Sequence, residues 1–421
     1  MVDALTEQLA PLREHEALVE ANRCLFCYDA PCIGACPTHI DIPRFIKKIA
    51  TGNMAGSARA IFEANLLGAT CSRVCPVQEL CEGACVLGAD HKPIAIGRLQ
   101  RHVMDHAYRG GATPCPPATR TGKRVAVVGA GPAGLSCAGT LARLGHEVTV
   151  FEKRPLAGGL STYGIIAIRE PVDVALAEVE MIRRLGVAIQ TGVEIAGLDD
   201  LRARFDAVFL GVGMGATPVL GIPGEERIID GLHYIERSKM DPGALKAGRE
   251  VVVIGAGNTA IDCATIARRL GSGRVTIVYR RTDREMTAYR HECEFALREG
   301  IEFRFLTQPV RMLDGGLECV RMEMGAPDSS GRPSPRVVAG SEFLIAADQV
   351  VKAIGQVKPT LAALLGLATD KGYIQVSGEL ETTIAGVFAG GDSIRAKGAA
   401  STVMAVQDGK LAAESIHRRI A

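Results

Sequence analysis

The sequence carries almost no net charge and no sign of an export leader. Its 48 Lys and Arg residues balance 47 Asp and Glu residues, and the formal net charge is +1. Because the charges are spread through the chain, we expect neither nucleic acid nor a membrane as a partner. The N-terminus up to Cys24 is charged and lacks an apolar core. We therefore expect no secretory signal and a cytoplasmic location.

Long apolar runs are also scarce. One uncharged stretch, residues 125–142, approaches the length of a membrane span. Its glycines, Pro132 and the change from β-branched to Ala/Leu composition instead indicate a strand, a tight turn and a helix. With 421 residues, of which 47% are hydrophobic, the chain is long enough for about three domains with large cores.

Cysteines are concentrated at the start of the chain. The first group, spaced C-x2-C-x4-C-x3-C and followed by Pro37, consists of Cys24, Cys27, Cys32 and Cys36. The second group, spaced C-x3-C-P-x4-C-x3-C, consists of Cys71, Cys75, Cys81 and Cys85. Such spacing favours two [4Fe-4S] clusters, since a Cys before Pro in bacterial ferredoxins ligates a different cluster from its neighbours. Structural zinc and disulfides are the alternatives. The isolated cysteines, expected to be inert, are Cys115, Cys137, Cys263, Cys293 and Cys319.

The chain has two compositional parts joined by a linker. Residues 1–112 read as helices joined by cysteine-bearing loops, and residues 109–123 form a Gly/Pro/Thr-rich linker. From residue 124 onward, apolar β-branched runs alternate with amphipathic helical patterns, which predicts parallel sheets covered by helices and an α/β fold. The expected strands are residues 125–129, 147–152, 207–211, 250–255, 274–279 and 349–354.

Two glycine fingerprints follow predicted strands. In the first, Gly129, Gly131 and Gly134 form G-x-G-x-x-G between a strand and a helix, where backbone amides can hold a pyrophosphate. About twenty residues later Glu152 ends the next strand, where a carboxylate can bind a ribose hydroxyl. The alternative is a glycine turn that serves only close packing of the helix against the strand.

The second fingerprint has Gly255, Gly257 and Ala260, and its next strand ends in VYRR rather than in an acid. Arg280 and Arg281 there favour a 2′-phosphate through charge-assisted hydrogen bonds, so we expect NADPH rather than NADH. The alternatives are NADH, and arginines that are solvated or paired with Asp283 and Glu285.

A third segment, TTIAGVFAGGDS, places Gly391 and Asp392 in a turn before an Ala-rich helical stretch. It resembles the second flavin-binding segment of reductases with two dinucleotide folds. That resemblance implies a flavin domain split in sequence. We expect an iron–sulfur domain at 1–112, a FAD domain at 123–221, an inserted NAD(P)H domain at 222–353 and the rest of the FAD domain at 354–421.

These parts form a chemically sensible series. Nicotinamide gives up two electrons as a hydride, whereas a cubane cluster accepts one electron at a time. Flavin accepts the hydride and can release electrons singly. Since the cofactors carry this chemistry, none of the nine histidines is expected to be catalytic.

The whole chain resembles the NAD(P)H-oxidising subunit of bacterial dihydropyrimidine dehydrogenase. It is also similar to the N-terminal half of the single-chain animal enzyme and to the small subunit of glutamate synthase. The resemblance is carried by RCLFCYDAPCIGACPTHIDIPRF, LGATCSRVCPVQELCEGACVL, IAIGRLQR and both glycine fingerprints. The Asp29-Ala30-Pro31 insert favours the pyrimidine enzyme.

The resemblance also implies binding residues. One cluster would be held by Cys24, Cys27, Cys32 and Cys85. The other would be held by Cys36, Cys75, Cys81 and Gln100, and Cys71 would not bind iron. From the sequence alone, Gln100 would be interpreted as an exposed polar residue of a helix. The implied flavin contacts are Gly129, Gly131, Pro132, Ala133, Gly134, Glu152, Gly159, Leu160, Arg169, Gly391 and Asp392. The implied nicotinamide-nucleotide contacts are Gly255, Ala256, Gly257, Asn258, Thr259, Arg280, Arg281, Ala353, Ile354 and Gly355.

The chain departs from the family at residues 165–171, which read IIAIREP where relatives often have I-P-x-x-R-L-P. The chain stops soon after the second flavin segment and has no visible pyrimidine site, so we expect a separate FMN/iron–sulfur subunit to reduce uracil or thymine. The chain would be the electron-input subunit of that hetero-oligomer. The alternatives are a glutamate synthase small subunit and a nucleotide-binding redox sensor or scaffold without turnover.

Overall fold

The computed structural model describes residues 5–111, 118–327, 333–359, 361–395 and 401–421. Cys115 and the middle of the predicted linker lie outside the described residues. The chain divides into two compact units. The larger unit comprises residues 8–162, 169–214 and 358–421, and the smaller one comprises residues 1–7, 163–168 and 215–357. None of the described helices is long and apolar enough to cross a lipid bilayer.

The N-terminal part of the larger unit is helical, as predicted. Its helices are α1 (Glu14–Asn22), α2 (Pro31–Ala35), α3 (Ile42–Ala50), α4 (Met54–Ala64), α5 (Gly68–Val74) and α6 (Ile96–Arg109). In α3, Asp41 caps the helix by accepting a hydrogen bond from the Arg44 amide at 3.1 Å. Phe45 and Ile49, one helical turn apart, are buried. A capped start and an apolar stripe thus produce a helix that packs on one face.

A five-stranded parallel sheet forms the centre of the rest of the larger unit. Its strands are β1 (Arg124–Val128), β2 (Glu147–Glu152), β3 (Ala188–Thr191), β4 (Ala207–Leu210) and β16 (Val387–Ala389). They lie in the order β16-β4-β1-β2-β3. Because β16 pairs with β4, the end of the chain completes a sheet that began at residue 124. The predicted insertion of one dinucleotide fold within another is confirmed.

Alternating side chains along these strands face two separate cores. Val125 and Val127 belong to the core that also contains the N-terminal helices, whereas Ala126 and Val128 face the opposite side. This alternation follows from the two-residue period of a strand. The remaining elements of this part are α7 (Pro132–Arg143), α8 (Leu160–Tyr163), α9 (Val172–Arg184), α10 (Asp199–Arg204), α14 (Leu361–Leu364), α15 (Thr402–Ile420), β14 (Thr369–Asp370) and β15 (Tyr373–Ile374).

The smaller unit contains the second parallel sheet. Its strands are β5 (Ile229–Asp230), β6 (Glu250–Ile254), β7 (Arg274–Val278), β8 (Glu302–Arg304) and β13 (Gln349–Lys352), and their order is β5-β13-β6-β7-β8. The helices are α11 (Gly231–Met240), α12 (Asn258–Arg269) and α13 (Arg290–Arg298). Every strand predicted after residue 124 is present. Predicted ends that included Gly129 or Gly255 were one residue too long, because these glycines adopt φ values of 96° and 137°.

The prediction that helices cover the sheets was wrong for one face of the smaller unit. An antiparallel sheet lies there, formed by β9 (Thr307–Leu313), β10 (Gly316–Pro327), β11 (Pro333–Val337) and β12 (Phe343–Ala346). Leu317 of β10 and Ile345 of β12 share a core with Val252 of β6. Burial of this apolar face accounts for the extra sheet, since a parallel sheet must be covered on both sides.

Candidate functional site

Cysteines from both sequence groups lie around one cavity. Cys24, Cys27, Cys32 and Cys85 line one cavity together with apolar side chains that include Ile42 and Ile94. Burial, and then the nearby thiols of Cys24 and Cys85, raise the pKa of Cys32 to about 11. Four thiols around one cavity fit an iron–sulfur cluster, which binds thiolates and so removes this protonation cost.

A second group of thiols surrounds Cys75, at the end of α5. A hydrogen bond to Cys71, then burial, then the thiols of Cys71, Cys81 and Cys36 raise the pKa of Cys75 well above its ordinary value. These thiols are therefore close neighbours. Within the described residues, no three His, Cys, Asp or Glu side chains form a group suited to a single metal ion.

Gln100 is buried in α6 rather than exposed, with 7% of its surface accessible. Its Nε2 donates to the carbonyl of Gly68, at the start of α5, at 2.7 Å. This bond occupies the amide nitrogen, and the Oε1 atom is the one suited to bind a metal. Cys71 is also buried, beside Cys75. Whether Gln100 or Cys71 completes the second set stays a prediction.

The first glycine turn joins β1 to α7. Gly129 has a positive φ of 96°, and a Cβ at Gly134 would lie 1.9 Å from the carbonyl oxygen of Gly129. Packing therefore explains these two glycines. It does not explain Gly131, where a Cβ would meet nothing nearer than the Cα of Gly159 at 3.9 Å. Open space at the start of α7 fits close approach of a bound pyrophosphate.

Glu152 lies at the end of β2, next to this turn. Its Oε2 accepts a hydrogen bond from the Ala130 amide at 2.8 Å, and its Oε1 accepts one from the Arg154 amide at 2.8 Å. These bonds fix the buried carboxylate at the turn and leave each oxygen a second lone pair for a ribose hydroxyl. Of the other implied flavin contacts, Leu160 is exposed in α8 and Arg169 is half-buried.

The second flavin segment reaches the same turn from the other end of the chain. A Cβ at Gly391, which has a φ of 77°, would lie 3.1 Å from Cβ of Ala133 in α7. The Gly391 amide donates to Oδ2 of Asp408 in α15 at 2.9 Å. Asp408 also forms an ion pair with Arg395. Burial, and then the charge of Asp408, raise the pKa of Asp392.

The second glycine turn, in the smaller unit, joins β6 to α12. A Cβ at Gly255 would lie 2.2 Å from the carbonyl oxygen of Ala353, so this turn lies directly against the end of β13. The Asn258 Oδ1 accepts a hydrogen bond from the Tyr289 amide at 3.0 Å. The structure thus brings together the predicted nucleotide residues at 255–259 and 353–355.

The arginines after β7 form no close ion pair with the nearby acids among the described residues, although the charge of Arg281 contributes to lowering the pKa of Glu285. Oε2 of Glu285 accepts hydrogen bonds from the Thr282 amide at 3.0 Å and hydroxyl at 2.6 Å. Arg280 is exposed, and the buried Nε of Arg281 has no hydrogen-bond partner among the described residues. An unsatisfied buried donor at this position fits an anionic ligand such as a 2′-phosphate.

Replacing Arg281 with glutamine should raise KM for NADPH by roughly ten- to a hundredfold, because a hydrogen bond to a charged group is lost. KM for NADH should change little. Steady-state kinetics with both nucleotides test this prediction. Arg274→Gln is a matched control, since Arg274 starts β7, the strand that precedes Arg281, and pairs with Glu302 at 2.9 Å. Equal effects of Arg281→Gln on both nucleotides would contradict the assignment.

Two dinucleotide folds, one of them split around the other, and a helical cysteine-rich domain define an NAD(P)H-dependent flavin and iron–sulfur oxidoreductase. Residues 2–112 match the family model for dihydropyrimidine dehydrogenase domain II, 4Fe-4S cluster. Residues 123–409 match the model for pyridine nucleotide-disulphide oxidoreductase. The chain belongs to the pyridine nucleotide-disulphide oxidoreductase family, and its N-terminal domain is of the [4Fe-4S] type.

Two relatives are similar in sequence to this protein over nearly the whole of both chains. The small chain of NADPH glutamate synthase from Escherichia coli is 35% identical, over 96% of this chain and 92% of that protein. The dihydropyrimidine dehydrogenase subunit PreT from Salmonella typhimurium, named as NAD-dependent, is 34% identical over 99% of this chain and 96% of that protein. The crystal structure of T. acidophilum thioredoxin reductase matches with a TM-score of 0.56 at 23% identity, and the match covers 70% of this chain and 99% of that chain. The last similarity shows the fold alone.

Three charged residues near these sites were not found from the sequence. Asp408 binds the Gly391 amide, Glu178 binds amides at the start of α5, and Lys410 binds carbonyls of the cysteine-rich domain. A charged residue on the apolar face of a predicted helix is the signal that could have revealed them, because such residues are seldom buried without a partner.

Proposed function

We propose that the chain is the electron-input subunit of a dihydropyrimidine dehydrogenase. When bound, FAD would take a hydride from NAD(P)H, and the iron–sulfur clusters would pass single electrons to a partner subunit that reduces uracil or thymine. The observation that carries this proposal is the placement of the flavin turn and both thiol groups within one compact unit. The PreT relative, a subunit of such an enzyme by name, supports it.

The protein's own residues hold the two cofactor regions against each other. Leu66, which precedes α5, packs in one core with Leu135 and Ala138 of α7. Arg143, at the end of α7, donates from Nη1 to the Phe62 carbonyl in α4 at 3.0 Å. A shared, closely packed core suits electron transfer, because it fixes the separation of the bound groups.

A second candidate is the NADPH-oxidising subunit of a glutamate synthase. The unpartnered Nε of Arg281 favours NADPH, whereas the PreT relative is named NAD-dependent. The Escherichia coli relative is named an NADPH glutamate synthase chain. The nucleotide preference and the partner therefore have to be measured together.

Reconstitution with each candidate partner separates these functions. The purified chain would be mixed anaerobically with an FMN/iron–sulfur pyrimidine-reducing subunit or with a glutamate synthase large subunit. Uracil-dependent oxidation of NAD(P)H with the first partner alone supports the proposal. Oxidation that requires glutamine and 2-oxoglutarate with the second supports the alternative, and uracil reduction by the chain alone would contradict the need for a partner.

An exposed apolar surface beside the first thiol group is suited to dock the electron-accepting subunit. Leu25, Tyr28 and Val86 directly follow Cys24, Cys27 and Cys85 in sequence. Their exposed fractions are 59%, 106% and 51%. Such residues at the edge of a redox centre let the acceptor approach it closely, and tyrosine commonly contributes strongly to binding at interfaces.

Tyr28→Glu should lower partner-dependent turnover roughly tenfold or more, because a charge would be placed in an apolar interface. NADPH-dependent reduction of a small dye should stay unchanged. Val219→Glu is the control, since Val219 is 78% exposed but lies in the smaller unit. A Tyr28→Glu protein with normal turnover in the complex would show that the acceptor binds elsewhere.

A further inference from the structure

A lysine from the flavin part of the larger unit is anchored in the cysteine-rich domain. Lys410 lies in α15, the helix that follows the second flavin segment. Its Nζ donates to the Thr38 carbonyl at 3.0 Å and to the Ala64 carbonyl at 3.1 Å. The ammonium group is therefore held by two neutral acceptors rather than by a carboxylate.

Thr38 connects this lysine to a predicted cluster ligand. The threonine is fully buried, and its Oγ1 lies 3.4 Å from Sγ of Cys36. A metal-bound thiolate has no proton to donate, so the hydroxyl must be the donor when Cys36 binds iron. One residue thus receives a hydrogen bond from Lys410 at its carbonyl and gives one to Cys36 from its side chain.

The charges around Lys410 leave its positive charge effective toward Cys36. Burial lowers the pKa of Lys410, whereas Glu414 and Cys36 raise it and Arg143 lowers it. Among the described residues, Lys410 Nζ bonds to the two carbonyls and forms no ion pair with a carboxylate, so Glu414 acts on it through charge alone.

We propose that Lys410 and Thr38 raise the reduction potential of the cluster held by Cys36. A nearby positive charge stabilises the electron that a cluster gains, and a hydrogen bond to a ligand sulfur acts in the same direction. Lys410 is a positioning and tuning residue and does not itself react. The inference rests on the proposed function only in requiring a cluster at Cys36, whatever the partner subunit is.

The consequence concerns which of the two thiol groups would hold the more easily reduced cluster. Lys410, from α15, reaches the Cys36 side of the cysteine-rich domain through Thr38. Lys410 and Thr38 would therefore make the Cys36 site the more easily reduced of the two. The cavity lined by Cys24 and Cys85 is the one bordered by the exposed side chains of Leu25 and Val86.

The test is a mediated redox titration of the anaerobically purified holoprotein, followed by electron paramagnetic resonance. Lys410→Met should shift the reduction equilibrium of one cluster about tenfold toward the oxidised form, a fall of about 59 mV for one electron. Lys410→Arg should keep the wild-type potential. Thr38→Val should lower the same potential and Thr38→Ser should restore it.

Controls separate tuning from structural damage. Lys123→Met removes a lysine that pairs with Asp206 at 3.7 Å, and both potentials should stay unchanged. Iron and sulfide content must equal that of the wild type before a potential is compared. If Lys410→Met damages folding, the threonine variants still decide the question. Unchanged potentials in fully loaded Lys410→Met and Thr38→Val proteins would overturn the inference, and they would leave the partner assignment untouched.

Discussion

Replacing Gly409 with valine should destabilise the larger unit by about 3 kcal/mol or more and release its flavin. Gly409 lies in α15, where a Cβ would be 2.1 Å from the Ala133 carbonyl oxygen and 2.9 Å from the Cys137 nitrogen. Both atoms are backbone atoms of α7, so no side chain can move to make room. Overpacking of a core costs 1–3 kcal/mol when side chains can adjust, and more when they cannot.

Flavin loss should accompany the loss of stability because each of the two helices follows one of the flavin segments. Gly131 immediately precedes α7, and Gly391 lies against Ala133 of that helix. The Ser136 hydroxyl donates to the Val406 carbonyl in α15 at 2.7 Å, which fixes the register of the pair. Separation of the helices would move Gly391 away from the first glycine turn.

Flavin absorbance after gel filtration and the free energy of unfolding test this prediction. Gly197→Val is the matched control, because a Cβ there has nothing within 4 Å and the residue does not require a positive φ. The control should keep its flavin and its stability. A Gly409→Val protein that retains both would mean that α7 and α15 can separate without cost.

The parallel strands and glycine turns could be predicted because their signals are local. An apolar run such as Glu250–Ile254 followed by Gly255 predicts both the strand and the turn that ends it. The strand β10 could not be recognised in this way. This strand covers the second parallel sheet because Leu317 packs in one core with Val252, and the hydrophobic periodicity of neighbouring residues does not indicate such a distant contact.

The contacts that join distant segments were also beyond sequence reasoning. Lys410 bonds to Thr38, which lies near the opposite end of the sequence. The Gly391 amide donates to Asp408, a contact that requires the packing of α15 on α7. The spacing of the cysteines predicted cluster chemistry, but it could not assign Cys85 to the first group. That assignment needed the family resemblance, and the cavity lined by Cys24 and Cys85 agrees with it.

Glu178 joins the flavin part of the larger unit to the start of α5. Its Oε1 accepts hydrogen bonds from the Ala69 amide at 2.7 Å and the Thr70 amide at 3.2 Å. The Thr70 hydroxyl donates to a second buried carboxyl group, that of Glu170, at 2.5 Å. Burial, and then the charge of Glu170, raise the pKa of Glu178 to about 8, against the opposing effect of the bonds from Ala69 and Thr70.

This raised pKa predicts a loss of stability with rising pH. The ordinary pKa of 4.5 applies to the unfolded chain, so the unfolded state releases the Glu178 proton first. The contribution of Glu178 is complete below pH 4.5 and is lost as pH rises through about 8. Relative to Glu178→Gln, the free energy of unfolding should fall by up to about 1.4 kcal/mol for each pH unit in this window.

The comparison needs three variants of the anaerobic holoprotein. Glu178→Gln keeps the acceptor for both amides and cannot ionise, so its stability should exceed that of the wild type increasingly toward pH 8. Glu178→Ala leaves two buried amides without their acceptor and should cost about 1–3 kcal/mol even at pH 5. Glu180→Gln, two positions away on the exposed side of α9, removes a carboxylate that lies 3.6 Å from Arg184 and should leave the pH profile unchanged. Hydrogen exchange of the α5 amides measures the same pH dependence locally. If the free energies of unfolding of the wild type and of Glu178→Gln change in parallel between pH 5 and 8, the carboxyl group of Glu178 is ionised throughout this range, which would contradict the prediction.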